Sequence, residues 1–378
     1  MRIVVLGGAG AMGSALSEDL AGCPEIDELV VADVDAARVG ALVESFEGTR
    51  ARAVGIDLND RTATLSLLDG ADLLVNCTSF TLFDRVIGLA VDARVPYADL
   101  ISEPTAEQRR AVEAAGITAV SGLGASPGLT NVLVRHAADE LGPPEEAHLA
   151  WASFRTIAPS PGLLDTILWE LSDGCETRQV YVNGRFERAG FMEGSRVVEF
   201  AAPLGRQRVY YVPHTEVTTL PAHFPSLRFC AVRGTWRPEL MEDVRVLNRY
   251  GLLDPESIES TKARIWARFG GLRDDSPWRL FVNVEVIAGD TRRTYRASHP
   301  DWGQEGTGRM TGVCAAVGAQ LLARHGSRGG GFVDPEAYFD PREFLDELAG
   351  RGTVAVTWED DDLAGGPLAR SMDQGRAG

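Results

Sequence analysis

The chain has 378 residues with 54 acidic and 37 basic side chains, which gives a formal net charge of −17 at pH 7. This length fits two domains, and 44% hydrophobic and 24% charged residues are typical of a soluble globular protein. The acidic balance argues against nucleic acid or an anionic membrane as the main partner, because each phosphate contact needs a Lys or Arg. Lys262 is the single lysine, so the sequence contains no Gly-Lys-Ser/Thr phosphate loop.

The cysteine pattern and the first residues bear on the cellular compartment. Five cysteines lie far apart in the sequence, so they predict neither a disulfide framework nor a metal site but reduced thiols. The apolar run Arg2–Leu6 leads directly into glycines and is typical of a strand rather than of a signal peptide. Since no apolar run approaches ~18 residues, no membrane span is expected. We predict a cytoplasmic protein without a bound metal.

Short apolar runs alternate with helical patterns in the N-terminal third of the chain. Strands that are apolar throughout and separated by helices are typical of a parallel sheet covered on both faces. We therefore predict an α/β fold with a Rossmann doubly wound parallel sheet. The predicted strands are Ile3–Leu6, Glu28–Ala32, Arg52–Ile56, Leu73–Asn76, Tyr97–Leu100 and Thr118–Ser121.

The pattern changes after Pro143-Pro144, where the strands alternate between apolar and polar residues, as in Arg208–Val212. Such alternation indicates a sheet with one solvated face, so we predict a second α+β domain built on a mainly antiparallel sheet. A helix is expected near Thr307–Arg324. The predicted boundaries are 1–130 for the first domain, 131–305 for the second, and 357–378 for a disordered tail rich in Asp, Gly and Arg.

A glycine motif, Gly8-Ala9-Gly10-Ala11-Met12-Gly13, directly follows the first strand and opens a helix. Asp33 lies 20 residues beyond Gly13, at the end of the second strand, and this spacing is the dinucleotide-binding fingerprint. The helix N-terminus would bind the pyrophosphate, and Asp33 would accept hydrogen bonds from the ribose hydroxyls. A carboxylate there repels a 2′-phosphate, so NAD is favoured, while the nearby Arg38 keeps NADP as the alternative.

Polar residues also follow the fourth and fifth strands. Ligands of doubly wound sheets bind beyond the carboxyl ends of the strands, so Asn76 and Thr78 are expected near the nicotinamide half of the cofactor. Ordinary loop capping is the alternative for Thr78. Asp99 ends the fifth strand, either as a turn residue or as a carboxylate facing the site.

The stretch Ser121–Asn131 combines a glycine loop with Pro127-Gly128 and Asn131. Together with the fingerprint and Val75-Asn76, it resembles the saccharopine dehydrogenase (saccharopine reductase) superfamily, and in particular its lysine 6-dehydrogenase-like branch. By this resemblance Pro127 and Asn131 are cofactor-binding residues. The C-terminal region 306–356 would complete the cofactor domain, and the second domain would pair two copies into a homodimer.

The resemblance implies an NAD(P)-dependent oxidoreductase of amino-acid metabolism that acts on a CH-NH or CH-NH2 group of a small amine or amino acid. The first candidate is oxidative deamination, as in lysine 6-dehydrogenases. The alternative is reductive condensation of an amine with a carbonyl compound, as in saccharopine or carboxynorspermidine dehydrogenases. A non-catalytic dinucleotide-binding regulator is the minor alternative. The sequence Ile101-Ser102-Glu103-Pro104 replaces the Gly-Gly-His stretch of lysine 6-dehydrogenases, which puts lysine itself in doubt as the substrate.

Amine oxidation needs a base that removes a proton from the ammonium, and three side chains are candidates for this catalytic role. They are Asp99, His214 and Glu216, of which the histidine titrates in the useful range without help. Arg233 and Arg237 would bind a substrate carboxylate, with surface salt bridges as the alternative. An acidic patch from Glu103 or Glu216 would suit the amine at one end of a diamine substrate. The pocket would be lined by tryptophans, for which core packing is the alternative: Trp151, Trp169 and Trp236.

Overall fold

The computed structural model describes residues 1–46, 50–154, 156–158, 160–271, 279–299 and 306–364. Backbone contacts divide the chain into two compact units. Unit 1 comprises Met1–Val132 and Gly308–Gly352, and unit 2 comprises Leu133–Thr307 and Thr353–Gly378.

Unit 1 is built on a seven-stranded parallel sheet. Its strand order is β15-β6-β5-β4-β1-β2-β3, which contains the Rossmann order 3-2-1-4-5-6 and confirms the predicted doubly wound fold. The seventh strand, at Gly331–Val333, was not predicted because it is short and begins at the third of three consecutive glycines. The strands are β1 (Arg2–Leu6), β2 (Glu28–Asp33), β3 (Ala51–Gly55), β4 (Leu73–Asn76), β5 (Tyr97–Asp99), β6 (Thr118–Val120) and β15 (Gly331–Val333).

Helices cover this sheet, and its central strands are fully buried, as expected for strands that are apolar throughout. The sequence prediction missed the short helix at Arg61–Leu68, which is capped by Asp60, whose side chain accepts from the Ala63 N–H. The helices are α1 (Ala11–Ala21), α2 (Ala36–Glu44), α3 (Arg61–Leu68), α4 (Phe83–Ala93), α5 (Ala106–Ala115), α11 (Gly306–His325), α12 (Pro335–Tyr338) and α13 (Pro341–Arg351).

Unit 2 is built on a nine-stranded mixed sheet in which one pair of strands, β7 and β12, is parallel and the other pairs are antiparallel. The predicted α+β domain on a mainly antiparallel sheet is confirmed. Its strands are β7 (Glu146–Phe154), β8 (Gln179–Val182), β9 (Arg185–Arg188), β10 (Arg196–Glu199), β11 (Arg206–Tyr211), β12 (Phe229–Thr235), β13 (Arg279–Ala288), β14 (Thr291–Ser298) and β16 (Ala355–Asp362). Its helices are α6 (Thr130–Leu141), α7 (Pro161–Leu171), α8 (Glu216–His223), α9 (Pro238–Arg249) and α10 (Ile258–Phe269).

The prediction of a disordered tail from residue 357 was wrong for its first part, because β16 extends to Asp362 and pairs along its whole length with β14. Arg293 on β14 donates two hydrogen bonds of 2.7 Å to the Asp360 carboxylate on β16. Acidic residues that suggested disorder are thus paired with arginines on the neighbouring strand. The rest of that prediction, residues 365–378, lies outside the described residues. Within the described ranges, no helix combines the length and apolar character needed to cross a membrane.

Candidate functional site

The turn between β1 and α1 has a backbone that tolerates only glycine at two positions. Gly7 has a φ of +76°, and a Cβ there would lie 2.7 Å from the Cys77 carbonyl carbon. A Cβ on Gly13 would lie 2.2 Å from the Gly7 carbonyl oxygen, so α1 packs directly on the turn. Gly10 precedes α1 and has no side chain to cap the first N–H groups, which therefore suit a phosphate. The predicted residues Gly8, Gly10, Ala11, Met12 and Gly13 all lie in this turn or in the first turns of α1. Sequence reasoning missed Gly7, although its place directly after a strand was a signal.

Asp33 is the last residue of β2 and lies beside the glycine turn. One carboxylate oxygen accepts from the Ala9 N–H at 3.0 Å, and the other accepts from the Asp35 N–H at 3.2 Å. These bonds fix the carboxylate against the turn, where the fingerprint expects an acceptor for ribose hydroxyls. The residues present therefore fit a nicotinamide dinucleotide.

A chain of hydrogen bonds crosses the carboxyl ends of β4 and β5. The Thr78 N–H and hydroxyl both donate to Asn76 Oδ1, at 3.0 and 2.6 Å. Asn76 Nδ2 donates to the Tyr97 hydroxyl at 3.0 Å, and Tyr97 donates to Asp99 Oδ2 at 2.9 Å. Asn76, Tyr97 and Asp99 are buried, whereas Thr78 is partly exposed. Tyr97 was not among the predicted site residues, because a tyrosine within an apolar strand gives no functional signal.

Asp99 receives further hydrogen bonds from the ends of β5 and β6. Ser102 Oγ donates to Asp99 Oδ2 at 2.5 Å, and Ser121 Oγ donates to Oδ1 at 2.7 Å. The Gly122 N–H also hydrogen-bonds to this carboxylate. Burial raises the pKa of Asp99, although the hydrogen bonds from Ser102, Ser121 and Tyr97 oppose that shift. The catalytic role predicted for Asp99 stays a prediction, and its two oxygens are both engaged within the protein.

The loop Ser121–Leu129 is compact and rests on Asn131. Gly128 has a φ of +117°, and a Cβ there would lie 2.8 Å from the Gly122 carbonyl oxygen. The Gly128 N–H donates to Asn131 Oδ1 at 2.9 Å, and Asn131 Nδ2 donates to the buried Glu336 carboxylate at 2.9 Å. The predicted residues Pro127 and Asn131 thus shape this loop, and their contact with a cofactor stays a prediction.

In unit 2, His214 lies between two carboxylates. Its Nε2 is 3.0 Å from Glu170 Oε1, and its Nδ1 is 3.7 Å from Glu216 Oε2. All three side chains are less than 10% exposed. Burial alone would lower the pKa of His214, but the hydrogen bond to Glu170 and the negative charges of Glu170 and Glu216 outweigh it and raise the pKa to about 10. The structure therefore brings two predicted residues together and holds the imidazole in its charged form.

Glu170 is the member of this cluster that sequence reasoning missed. It lies near the end of α7, where the Arg178 guanidinium donates to the backbone oxygens of Glu170 and Ser172 at 2.7 and 2.8 Å. Arg178 is 1% exposed and satisfies carbonyls that the helix end leaves without partners. Glu170 carried no signal, because one glutamate in an amphipathic helix is expected to be exposed.

The predicted tryptophans differ in their surroundings. Trp151 stacks on His214 with ring centroids 5.7 Å apart. The Trp151 ring also packs against Gly234, where a Cβ would clash with it. Trp236 meets Trp151 edge-on at 4.5 Å and is 1% exposed, so it packs in the core. Trp169 is partly buried.

The predicted substrate-binding side chains have different accessibilities. Arg233 is buried, donates from Nε to the Gly194 carbonyl at 2.8 Å, and lies over the Tyr211 ring at 4.5 Å. The Arg237 side chain is 31% exposed, and its Nε is 3.8 Å from Glu239. Glu103 is exposed in the loop after β5.

The single lysine is engaged in ion pairs on the surface of α10. Lys262 Nζ is 3.0 Å from Asp165 and 2.8 Å from Glu259. Burial alone would lower its pKa, but hydrogen bonds to Glu259 and Asp165 raise it. Lys262 therefore stays protonated and is a poor candidate for a base or a Schiff-base nucleophile.

The fold and the glycine turn of unit 1 define a dinucleotide-binding Rossmann domain. Residues 3–120 match the family model of the saccharopine dehydrogenase NADP binding domain. These residues of unit 1 are thus similar to the nucleotide-binding domain of saccharopine dehydrogenases, and the predicted resemblance is confirmed over this part of the chain. This match supports a nicotinamide dinucleotide as the ligand of unit 1.

Two solved structures share the fold over nearly the whole chain. Saccharopine dehydrogenase (L-Glu forming) from Saccharomyces cerevisiae is 14% identical, with 95% of this chain and 99% of that chain covered and a TM-score of 0.69. Homospermidine synthase from Legionella pneumophila, solved in complex with NAD, is 17% identical, with 95% and 91% covered and a TM-score of 0.63.

Proposed function

We propose that this protein is a nicotinamide-dinucleotide-dependent oxidoreductase that acts on a C–N bond of an amine or amino acid. The superfamily of unit 1 and the activities named for the two structural neighbours support this proposal. The observation that carries it is His214, held between Glu170 and Glu216 as a buried proton-transfer group. When bound, the dinucleotide accepts or donates the hydride.

The charge on His214 bears on the direction of the reaction. Oxidative deamination, the first candidate, needs a base that removes a proton from the ammonium, and His214 becomes a base only as the pH approaches about 10. Reductive condensation, the second candidate, needs an acid when the amine and carbonyl compound join and water leaves. The protonated His214 supplies that acid at neutral pH, and this observation favours the second candidate under neutral conditions.

Two side chains, one partly exposed and one exposed, are proposed to bind the polar groups of the substrate. Arg237 is assigned to the substrate carboxylate, because its guanidinium is more accessible than that of Arg233. Glu103 is assigned to a substrate ammonium. Arg233 is assigned to holding β11 against β12 through Tyr211.

The cofactor is proposed to be NAD rather than NADP, because the fixed Asp33 carboxylate would repel a 2′-phosphate. The variant Asp33→Ser should bind NADP more tightly relative to NAD. Asp60→Ser, which changes a helix-capping aspartate of α3, is the control and should keep the ratio of dissociation constants. An unchanged ratio in Asp33→Ser would reject the role of Asp33.

The reaction is tested by following NADH at 340 nm at pH 7 and pH 10. Lysine, ornithine and diamines are tested alone with NAD, and the same amines are tested with keto acids or aldehydes and NADH. We expect turnover in one of the two assays. The rate should fall in His214→Gln but not in His148→Gln, which changes a partly buried histidine of unit 2. Tight NADH binding without turnover in either arm would instead identify a non-catalytic regulator.

A homodimer and a cytoplasmic location also belong to this proposal, as the sequence predicts both. Light scattering on the purified chain should give twice the mass of 40.7 kDa. A monomeric mass at micromolar concentration would reject the dimer.

A further inference from the structure

The hydrogen-bond chain at the ends of β4 and β5 has a direction that backbone groups impose. The Thr78 N–H can only donate, and it faces one end of the Asn76 amide at 3.0 Å. That end must therefore be the oxygen, which places the amide nitrogen towards the Tyr97 hydroxyl.

The far end of the chain has the same direction. Tyr97 accepts from Asn76, and its own proton is donated to Asp99 Oδ2 at 2.9 Å. The Gly122 N–H, a second fixed donor, also points at Asp99, so this carboxylate acts as an acceptor. Asp99 and the Asn76 oxygen are therefore the acceptors at which the hydrogen bonds of this chain end.

These fixed directions determine how the Thr78 hydroxyl can bond. Its proton is donated to Asn76 Oδ1 at 2.6 Å, or more weakly to the Ser79 carbonyl at 3.5 Å, so either arrangement uses the proton within the protein. The Thr78 oxygen is left with lone pairs, and the side chain is only partly buried. A Cβ on Gly7 would lie 2.8 Å from the Thr78 nitrogen, so Thr78 adjoins the dinucleotide turn.

We propose that Thr78 Oγ1 is a hydrogen-bond acceptor for a donor on the nicotinamide half of the dinucleotide, and that Asn76, Tyr97 and Asp99 are positioning residues that fix this polarity. Asp33 on β2 and Thr78 after β4 lie on opposite sides of β1, so the half of the cofactor that Asp33 does not bind lies towards Thr78. Two groups on that half can donate, the carboxamide N–H and a ribose hydroxyl.

The proposal is tested by measuring dissociation constants of the full-length protein for NAD by calorimetry. Thr78→Val removes the acceptor at nearly constant shape and should weaken NAD binding about five- to tenfold, the value of one hydrogen bond. Thr78→Ser keeps the hydroxyl and should bind like the wild type. ADP, which lacks the nicotinamide half, should bind equally to all three proteins.

The acetylpyridine analogue of NAD, in which a methyl group replaces the carboxamide NH2, identifies the donor. If Thr78→Val and wild type bind this analogue equally, the carboxamide is the donor; if the variant still binds it more weakly, the donor is a ribose hydroxyl. Equal binding of NAD by wild type and Thr78→Val overturns the proposal, and so does an equal loss of ADP affinity.

The positioning role has its own variant. Tyr97→Phe removes the acceptor of the Asn76 amide nitrogen, while the Thr78 N–H still holds Asn76 Oδ1. We therefore expect a measurable loss of NAD affinity that is smaller than that of Thr78→Val, with ADP affinity unchanged. Unchanged NAD affinity in Tyr97→Phe would overturn the positioning role even if Thr78 binds the cofactor. The inference rests on the dinucleotide binding in the proposed function and not on its substrate. Wild-type protein that binds no dinucleotide would reject the proposed function, whereas wild-type binding with an unaffected Thr78→Val would reject this inference alone.

Discussion

Asp99 in unit 1 and His214 in unit 2 are both buried and ionisable, but they differ in the charge of the groups around them. Neutral donors surround the Asp99 carboxylate, namely three hydroxyls and one backbone N–H. Two carboxylates flank His214. Burial disfavours charge at both sites, and at Asp99 it prevails and raises the pKa. At His214 the carboxylates outweigh burial and raise the pKa to about 10.

His148, also in unit 2, shows why the second carboxylate matters. Its Nε2 lies 2.9 Å from Glu146, the single carboxylate in hydrogen-bond contact among the described residues. Burial, with the positive charges of Arg196 and Arg233, outweighs that bond and lowers the pKa of His148. Of these two imidazoles, the one flanked by two carboxylates has its pKa raised, and the one with a single carboxylate partner has its pKa lowered.

The largest expected effect comes from removing one carboxylate beside His214. In Glu170→Gln the pKa of His214 should fall from about 10 towards the ordinary imidazole value near 6.5, because burial then meets one charge instead of two. NMR titration of the His214 ring measures this change. Glu146→Gln is the matched control and should shift the His148 signals alone. A His214 pKa that stays near 10 in Glu170→Gln would show that Glu170 does not hold the charge.

The same difference should appear in stability as a function of pH. Because the pKa of His214 is raised in the folded protein, its protonation stabilises the fold fully below about pH 6.5, and this stabilisation is lost as the pH rises towards 10. The stability difference between wild type and His214→Gln should therefore shrink across that window. His148→Gln should show the opposite sign below about pH 6.5, because the His148 pKa is lowered. Denaturant unfolding at several pH values measures both, and a constant difference for His214→Gln would contradict the charged state.

For Asp99 the expected effect of substitution is on the free energy of unfolding. Asp99→Asn places an amide N–H2 against groups that donate, and leaves buried hydroxyls without an acceptor, at a cost of about 1–3 kcal/mol in unfolding free energy. The control is Asp84→Asn on α4, where an exposed aspartate accepts one bond from Gln108 and the cost should be within about 0.5 kcal/mol. Equal costs for the two variants would mean that the Asp99 network adds no stability.

The smallest effect is expected from removing one donor. Ser102→Ala takes one hydroxyl from Asp99 and should lower the unfolding free energy by about 1 kcal/mol, because Tyr97, Ser121 and Gly122 remain bound to the carboxylate. Denaturant unfolding measures this cost. A loss as large as that of Asp99→Asn would show that the network depends on Ser102 alone.

The sequence predicted unit 1 more completely than unit 2, for a physical reason. A parallel strand buried on both faces is a continuous apolar run, and a glycine turn between a strand and a helix has few other uses, so β1, β2 and Asp33 were recognisable. The central strand β7 of unit 2 was missed, because alternating and small residues such as Ala150 and Ala152 give a weak pattern. The strand β16 was interpreted as disorder, because the arginines that neutralise it lie on β14, more than 60 residues earlier.

The residues of the candidate site also fall into those that the sequence predicted and those that it did not. His214 and Glu216 were predicted from two residues that are close in sequence, and the structure places them together. Glu170, Tyr97, Ser102 and Arg178 were not predicted, because each acquires its role through a partner on another element.

By itself, the sequence determined the doubly wound fold and the glycine turn with its acidic partner, because these depend on local periodicity and on glycine conformation. Tertiary structure alone decided which ionisable groups are buried, how many charges face each of them, and in which direction the hydrogen bonds run. The pKa of a side chain depends on its burial and on charges a few ångströms away. Both come from residues on other helices and strands, which only the tertiary structure brings close. For this reason the raised pKa of His214 and the hydrogen bonds of Thr78 could be seen only in the folded chain.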